Sequence, residues 1–211
     1  MPTTSRRASW FTLLCVLLCG VHLVRGGTGE PAGGPPQPAP AGAAARHDAA
    51  ALLPPAPVPL AGSAPRRVTV PSMGIDAPLT PVGLDANGWV AAPPADRANL
   101  AGWYSGAVTP GERGTAVVVG HVDTRRGPAV FHPLGSVARG AHVEVVRHDG
   151  RTAVFAVYAV EVFRQRDFPA ERVYADGAHA EIRLITCGGA YSEDTGYDGN
   201  VVASARLVAV R

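Results

Sequence analysis

Two residues of this chain have the side chains needed for covalent acyl chemistry, Cys187 and His121. Cys187 ends the Leu-Ile-Thr-Cys run at 184–187 and is the only cysteine outside the apolar N-terminal segment. In an oxidising compartment, a thiol without a disulfide partner stays chemically exposed, which favours a role as nucleophile. A thiol of ordinary pKa is scarcely ionised at neutral pH, so it needs a base and a donor that stabilises an oxyanion.

His121 is the candidate base because its pKa lies near neutral pH and it follows the strand-like Val-Val-Val-Gly run at 117–120. Asp123 either orients His121 through a hydrogen bond or caps the following turn. His121 and Asp123 also have the chemistry of metal ligands, but no second cluster of His, Asp or Glu stands at ligand spacing. The sequence therefore predicts no metal and no cofactor.

The elements that must position these residues are short, β-branched apolar runs separated by turn residues. They occupy residues 67–70, 115–119, 142–146, 152–157, 181–186 and 201–210. The continuously apolar run at 117–119 predicts a strand buried on both faces, and Asp149-Gly150 predicts a hairpin turn. No segment has a convincing helical period longer than two turns. Six or more closely spaced strands predict an all-β fold, a closed or nearly closed barrel.

The 211 residues divide into three regions. Residues 1–27 contain Arg6 and Arg7 near their start, followed by an apolar stretch. The length of this stretch lies between that of a signal-peptide core and that of a membrane span of roughly 20 residues, so an anchored and a cleaved N-terminus both remain open. The basic flank predicts that everything after this segment is exported. Residues 28–66, rich in Pro, Ala and Gly, predict a disordered linker, and residues 67–211 have the size of one domain. The net charge of +2 gives no reason to expect a nucleic-acid partner.

Several motifs of residues 67–211 form a recognisable series. They are Gly102-Trp103-Tyr104, Pro110-Gly111-Glu112-Arg113-Gly114, Gly120-His121-Val122-Asp123-Thr124, Gly127-Pro128-Ala129-Val130-Phe131, Leu184-Ile185-Thr186-Cys187-Gly188-Gly189 and Asn200-Val201-Val202. In this order they resemble the sortases, cysteine transpeptidases of Gram-positive cell surfaces, and most closely the class F type of actinobacteria. The N-terminal segment and the proline-rich region also fit the usual layout of that family.

The resemblance implies an eight-stranded sortase-type β-barrel. It also implies cleavage of the Thr–Gly bond in a sorting signal similar to Leu-Pro-x-Thr-Gly, with Cys187 as the nucleophile that forms a thioester. His121 would protonate the leaving amine and deprotonate the incoming one. The implied partners are sorting signals of exported proteins and an amine acceptor, such as a peptidoglycan precursor or a pilin lysine. The implied location is the extracytoplasmic face of the membrane, with a cleaved, secreted form as the alternative.

One departure from the family concerns the oxyanion. Sortases stabilise it with an arginine at the start of the strand after the cysteine, where this chain has Tyr197-Asp198-Gly199-Asn200. Asn200 is one candidate substitute, because its amide donates hydrogen bonds although it has no charge. Arg183 is the other candidate. It precedes Cys187 by four residues, so strand alternation places both side chains on the same face. The alternative is that Arg183 is an exposed arginine without a role.

Two other functions compete with an active sortase. A catalytically weakened barrel would bind sorting-signal peptides without processing them efficiently, and the missing arginine is the feature that favours it. Other cell-wall cysteine hydrolases and transpeptidases differ in the order or spacing of cysteine and histidine. Trp89, Trp103 and Tyr104 are expected to pack against the barrel.

Overall fold

Eight strands close into a barrel within the part of the chain that the computed structural model describes, which is residues 34–38 and 53–211. The barrel strands are β1 (Pro65–Val70), β2 (Ile75–Val82), β3 (Ala101–Tyr104), β4 (Gly114–Gly120), β7 (His142–Arg147), β8 (Thr152–Arg164), β9 (Ala180–Ser192) and β10 (Gly196–Val210). They follow one another around the barrel as β1-β2-β3-β4-β9-β10-β8-β7. The prediction of an all-β, eight-stranded closed barrel is therefore confirmed.

A small hairpin accompanies the barrel. It consists of β5 (Asp123–Thr124) and β6 (Gly127–Pro128), which pair with each other and not with the barrel strands. The one described α-helix, α1 (Ala170–Tyr174), has five residues, in agreement with the absence of a helical period in the sequence. Short 3-10 turns occupy Pro71–Met73, His132–Ser136 and Gln165–Asp167.

All six strand-like runs of the sequence lie in barrel strands, whereas β2 and β3 escaped the sequence analysis. Strand β2 contains Pro78 and Pro81, and proline cannot donate to a β-ladder, so its sequence scores poorly as a strand. Strand β3 has only four residues, two of which are Ala101 and Gly102. Both strands form because they pair with neighbouring strands of the barrel, and their own residue composition contributes less.

Strand β4 is buried along its whole length, as the continuous valine run predicts. Val118 belongs to the core inside the barrel, whereas Val117 and Val119 belong to a second apolar cluster on the outer face. The connection between β8 and β9, which includes α1, covers this outer cluster with Phe168, Val173 and Tyr174. This covered outer face forms part of the groove described below.

The chain before β1 packs on the barrel. The Leu60 amide donates to the Gly111 carbonyl oxygen (2.8 Å), and the Arg147 guanidinium donates to the carbonyl oxygens of Ala61 and Pro110. Arg147 is fully buried and pairs with Asp149 at 3.0 Å, and a buried cation requires partners of this kind. The packed part of the chain therefore begins N-terminal of Arg67, where the sequence analysis placed the domain boundary.

The predicted membrane segment at 1–27 and residues 28–33 and 39–52 of the predicted linker lie outside the described residues. Within the described ranges, none of the helices has the length and apolar character needed to cross a bilayer.

Candidate active site

Strands β4 and β9 run parallel and bring the two candidate catalytic residues to one edge of the barrel. Their pairing places Val119 opposite Ile185. One residue further, the Thr186 hydroxyl donates a buried hydrogen bond to the Gly120 carbonyl oxygen (2.8 Å). His121 and Cys187 each follow directly, and both line one cavity. The two residues, far apart in the chain, are neighbours because parallel strands end on the same side.

Gly120 is needed for close packing immediately before His121. A Cβ atom on this residue would lie 2.6 Å from Phe131 Cδ2 and 2.7 Å from Val130 Cγ1. Phe131 in turn donates its amide to the His121 carbonyl oxygen (3.0 Å), which holds the turn after β4 against the barrel. The Gly-His pair of the sequence is thus explained by the space available at the end of β4.

The imidazole of His121 has a defined partner. Its Nε2 atom lies 2.7 Å from the Pro93 carbonyl oxygen. Because a carbonyl oxygen only accepts, Nε2 must carry the proton, which leaves Nδ1 as the nitrogen that can take a proton. The hydrogen bond that the structure gives Asp123 comes from the Tyr197 hydroxyl and not from His121. Pro93, rather than Asp123, orients the ring.

The Cys187 thiol is partly buried on the outer face of β9. Burial raises its pKa above the ordinary value, and the nearby Asp123 carboxylate raises the pKa further. Both effects favour the neutral thiol over the thiolate. Such a thiol becomes a nucleophile only when a base removes its proton, and His121 is the candidate base that lines the same cavity.

The cavity at Cys187 and His121 is a groove of about 580 Å³, a size that suits a short extended peptide. Its walls are largely apolar and aromatic. The other lining residues are Asp85, Trp89, Val90, Ala92, Val119, Gly120, Gln165, Arg166, Phe168, Tyr174, Ile185, Thr186 and Asn200. Asp85 accepts hydrogen bonds from the amides of Asn87 and Trp89, which shapes the loop at one rim.

An aromatic wall bounds the groove. Trp89 meets Phe168 edge-on at 5.7 Å between ring centroids, and Phe168 contacts Tyr174 at 5.8 Å. Trp89 remains 42 % exposed, so a bound peptide could contact it. As expected, Trp103 packs against the inner core and Tyr104 packs against the outer cluster. Trp89, in contrast, lines the groove. The sequence analysis did not distinguish Trp89 from the two packing residues, because all three are aromatic residues near predicted strands.

Asn200 is the direct cross-strand partner of Cys187 in the pairing of β9 with β10. Both residues line the groove. The Cβ atoms of directly opposed residues in an antiparallel pair lie about 4.5–5.5 Å apart, which puts the Asn200 amide within reach of a group bound to the thiol. The structure brings this candidate into the site.

Arg183 has a different environment. Its guanidinium pairs with Glu181 (2.6 Å), donates from Nε to the Val173 carbonyl oxygen (3.2 Å), and is 7 % exposed. It lines a second cavity of about 470 Å³, together with Tyr158 and Glu161. Strand alternation puts Arg183 on the face of Cys187, but four residues of strand separate them by about 13 Å. The structure does not bring Arg183 into the groove.

Tyr197 is a residue of this region that the sequence analysis did not select. Its hydroxyl donates to Asp123, and burial together with this hydrogen bond raises the Tyr197 pKa well above its ordinary value. Its ring also packs on Tyr191 at 5.0 Å between centroids. The contact joins the start of β10 to the hairpin after His121. No sequence signal connects Tyr197 with Asp123, because only the barrel brings them together.

No group of three or more His, Cys, Asp and Glu side chains stands together as a metal site anywhere in the described residues.

Comparisons with known proteins place this site in a family. The model of the Sortase domain matches residues 68–208. Sortase A of Listeria monocytogenes is 18% identical, with a TM-score of 0.52, and the match covers 71% of this chain and 90% of that one. The SrtA sortase of Actinomyces oris is 21% identical, with a TM-score of 0.54, and the match covers 76% of this chain and 88% of that one. The lid mutant of sortase A from Corynebacterium diphtheriae is 19% identical, with a TM-score of 0.53, and the match covers 74% of this chain and 73% of that one. At these identities the structural matches establish the fold. A comparison with curated proteins finds no significant relative.

Proposed function

Because the chain belongs to the sortase family of cysteine transpeptidases, we propose that it cleaves the Thr–Gly bond of a sorting signal similar to Leu-Pro-x-Thr-Gly and transfers the new acyl group to an amine. The observation that carries this proposal is that Cys187 and His121 both line one groove. The parallel β4–β9 pairing and the Thr186–Gly120 hydrogen bond hold them there.

In the first half-reaction, His121 Nδ1 takes the proton of the Cys187 thiol as sulfur bonds to the scissile carbonyl carbon. The π electrons of the carbonyl move to its oxygen, giving a tetrahedral intermediate. When the intermediate collapses, the C–N bond breaks and the His121 imidazolium gives its proton to the leaving amine. A thioester on Cys187 remains.

The second half-reaction runs the same steps in reverse with another amine. His121 takes a proton from the acceptor as its nitrogen bonds to the thioester carbon. The second tetrahedral intermediate then collapses, the C–S bond breaks, and the proton returns to the sulfur. The products are a new amide and the resting thiol, so the reaction needs no cofactor.

For the oxyanion of both intermediates, we assign Asn200 as a hydrogen-bond donor. The support is its cross-strand position opposite Cys187 and its place in the groove. Arg183 is not assigned this role, because its guanidinium is held by Glu181 and Val173 in another cavity. Loss of one oxyanion donor typically costs about 10²–10³ in rate, so this assignment is open to measurement.

Membership of the same family supports our proposals for the substrate and its setting. The groove walls of Trp89, Phe168 and Tyr174 suit the apolar first residues of a sorting signal. The proposed acceptor is a peptidoglycan precursor or a pilin lysine, and the proposed subtype is class F. The proposed location is the extracytoplasmic face of the membrane, reached through the segment at 1–27, which lies outside the described residues.

The test is to incubate the full-length chain, purified in mild detergent, with a library of quenched sorting-signal peptides. Cys187→Ala is the matched control, because it keeps the two cysteines of the N-terminal segment. A mass increase on Cys187 that disappears when an amine is supplied is the expected result.

A second function competes because the strand after the cysteine has Asn200 where the resemblance leads one to expect arginine. In that case the barrel would bind sorting signals without processing them. Peptide binding by both the wild type and Cys187→Ala, with no adduct on either, would favour this weakened barrel.

A further inference from the structure

The groove contains a cation that the assignments above do not use. Among the described residues that line it, Arg166 is the one arginine. The intermediates carry a full negative charge on oxygen, and Asn200 opposes that charge with a neutral amide only. A guanidinium binds an oxyanion more strongly, because its hydrogen bonds are charge-assisted and its donors form a planar fork.

The strand pairing places Phe163, three residues before Arg166, on the side of Asn200 that faces away from Cys187. Asn200 pairs with Cys187 on one side and with Phe163 on the other, so the three lie in a row across β9, β10 and β8. Neighbouring strands are about 4.8 Å apart, which puts Phe163 about 10 Å from the cysteine strand. The 3-10 turn Gln165–Asp167 follows immediately, and both Gln165 and Arg166 line the groove with Cys187.

Arg166 is also available for a ligand. Its ion-pair partner is its chain neighbour Asp167 at 3.2 Å, and the two side chains are 71% and 69% exposed. A pair this exposed contributes little and does not hold the guanidinium in place. By contrast, Arg183 is bound to Glu181 in the interior, and Arg172 donates to Glu161 at 2.7 Å.

We propose that Arg166 is a catalytic residue, which reaches across Asn200 and donates hydrogen bonds to the oxyanion of the tetrahedral intermediates. This assignment rests on the proposed transpeptidase function. Arg166 stays protonated throughout, so the proton balance between Cys187, His121 and the amine is unchanged. The cation would thus come from the end of β8 instead of the start of β10.

The experiment measures kcat and KM of full-length Arg166→Gln with the peptide that the wild type cleaves. Arg164→Gln is the matched control, because Arg164 is also exposed and belongs to the same strand end but does not line the groove. We expect kcat to fall about 100-fold in Arg166→Gln with KM changed less than about threefold, while Arg164→Gln stays near the wild type. In Arg166→Ala, guanidinium at non-denaturing concentration should restore part of kcat.

Alkylation of Cys187 should proceed at the wild-type rate in Arg166→Gln, which shows that the fold and the thiol are intact. A kcat within about threefold of the wild type in Arg166→Gln would overturn the assignment. So would a rise in KM without loss of kcat, which would make Arg166 a peptide-binding residue. A wild-type chain that forms no adduct overturns the proposed function itself, whereas the first two results overturn the role of Arg166 alone.

Discussion

The Thr186 hydroxyl donates to the Gly120 carbonyl oxygen, and this contact joins the residue before Cys187 to the residue before His121. Thr186 is buried, as are Gly120 and the strand that leads to it. The bond extends the parallel pairing of β4 with β9 by one residue. In each strand the next residue, His121 or Cys187, lines the groove. Thr186 therefore helps to set the relative position of Cys187 and His121, the candidate nucleophile and base.

Thr186→Val keeps the shape of this side chain and removes its hydroxyl. We expect a loss of about 1–3 kcal/mol in the free energy of unfolding, because the buried Gly120 carbonyl loses its partner. Peptide turnover by the folded enzyme should also fall. Chemical denaturation and steady-state kinetics measure the two effects, and Thr186→Ser, which restores the hydroxyl, should recover most of the activity. Equal turnover in Thr186→Val and the wild type would exclude a positioning role.

Gly120→Ala should destabilise the protein. The added methyl group would overlap Phe131 and Val130 in the interior, and overpacking of this kind typically costs about 1–3 kcal/mol. Relief of the overlap would displace His121, so activity should fall as well. Gly83→Ala is the control, because a Cβ atom there meets nothing within 4 Å. Thermal unfolding of both variants checks the prediction, which would be wrong if the two variants had the same melting temperature.

Asp123→Asn should lower the pKa of the Cys187 thiol. The carboxylate disfavours the negatively charged thiolate, so its removal increases the thiolate fraction at any given pH. The pH profile of iodoacetamide alkylation should therefore shift to lower pH. Burial, the larger cause of the raised pKa, is unchanged by this substitution, so the shift should be partial. Tyr197→Phe keeps the carboxylate charge and should show no such downward shift.

Arg183→Met should act on stability and not on the chemical step. It leaves the Glu181 carboxylate without its cation in a largely buried position, a change that typically costs about 3–5 kcal/mol. Glu181 still accepts a hydrogen bond from Tyr158 (2.9 Å). The loss in the free energy of unfolding should therefore lie towards the lower end of that range. The double variant Glu181→Gln/Arg183→Met should recover part of the stability.

The kinetic side of this prediction concerns kcat per folded molecule, measured below the melting temperature. It should stay within about threefold of the wild type in Arg183→Met. A fall of about 100-fold would instead place Arg183 at the oxyanion, as one of the two sequence hypotheses has it.

The candidate catalytic residues were visible in the sequence because their residue types are rare or have special steric requirements. Cys187 is the one cysteine of residues 67–211, and His121 lies between a valine run and a turn. Gly120 precedes His121 because a larger residue there would overlap its neighbours in the barrel. Strand content was visible for the same local reason, since β-branched runs bounded by turns prefer extended backbone. Strands β2 and β3 were missed because proline and glycine weaken that local preference.

The partners of those residues were decided by tertiary structure alone. Strand alternation gave Arg183 and Cys187 the same face, but the distance along β9 and the Glu181 carboxylate decided where the guanidinium lies. Pro93 orients His121, Tyr197 binds Asp123, and Arg166 lines the groove from the 3-10 turn after β8. Each of these contacts joins segments far apart in the chain. The sequence determines which chemical groups exist, and the closure of the barrel determines which of them meet, because strand pairing depends on the whole core and not on any local pattern.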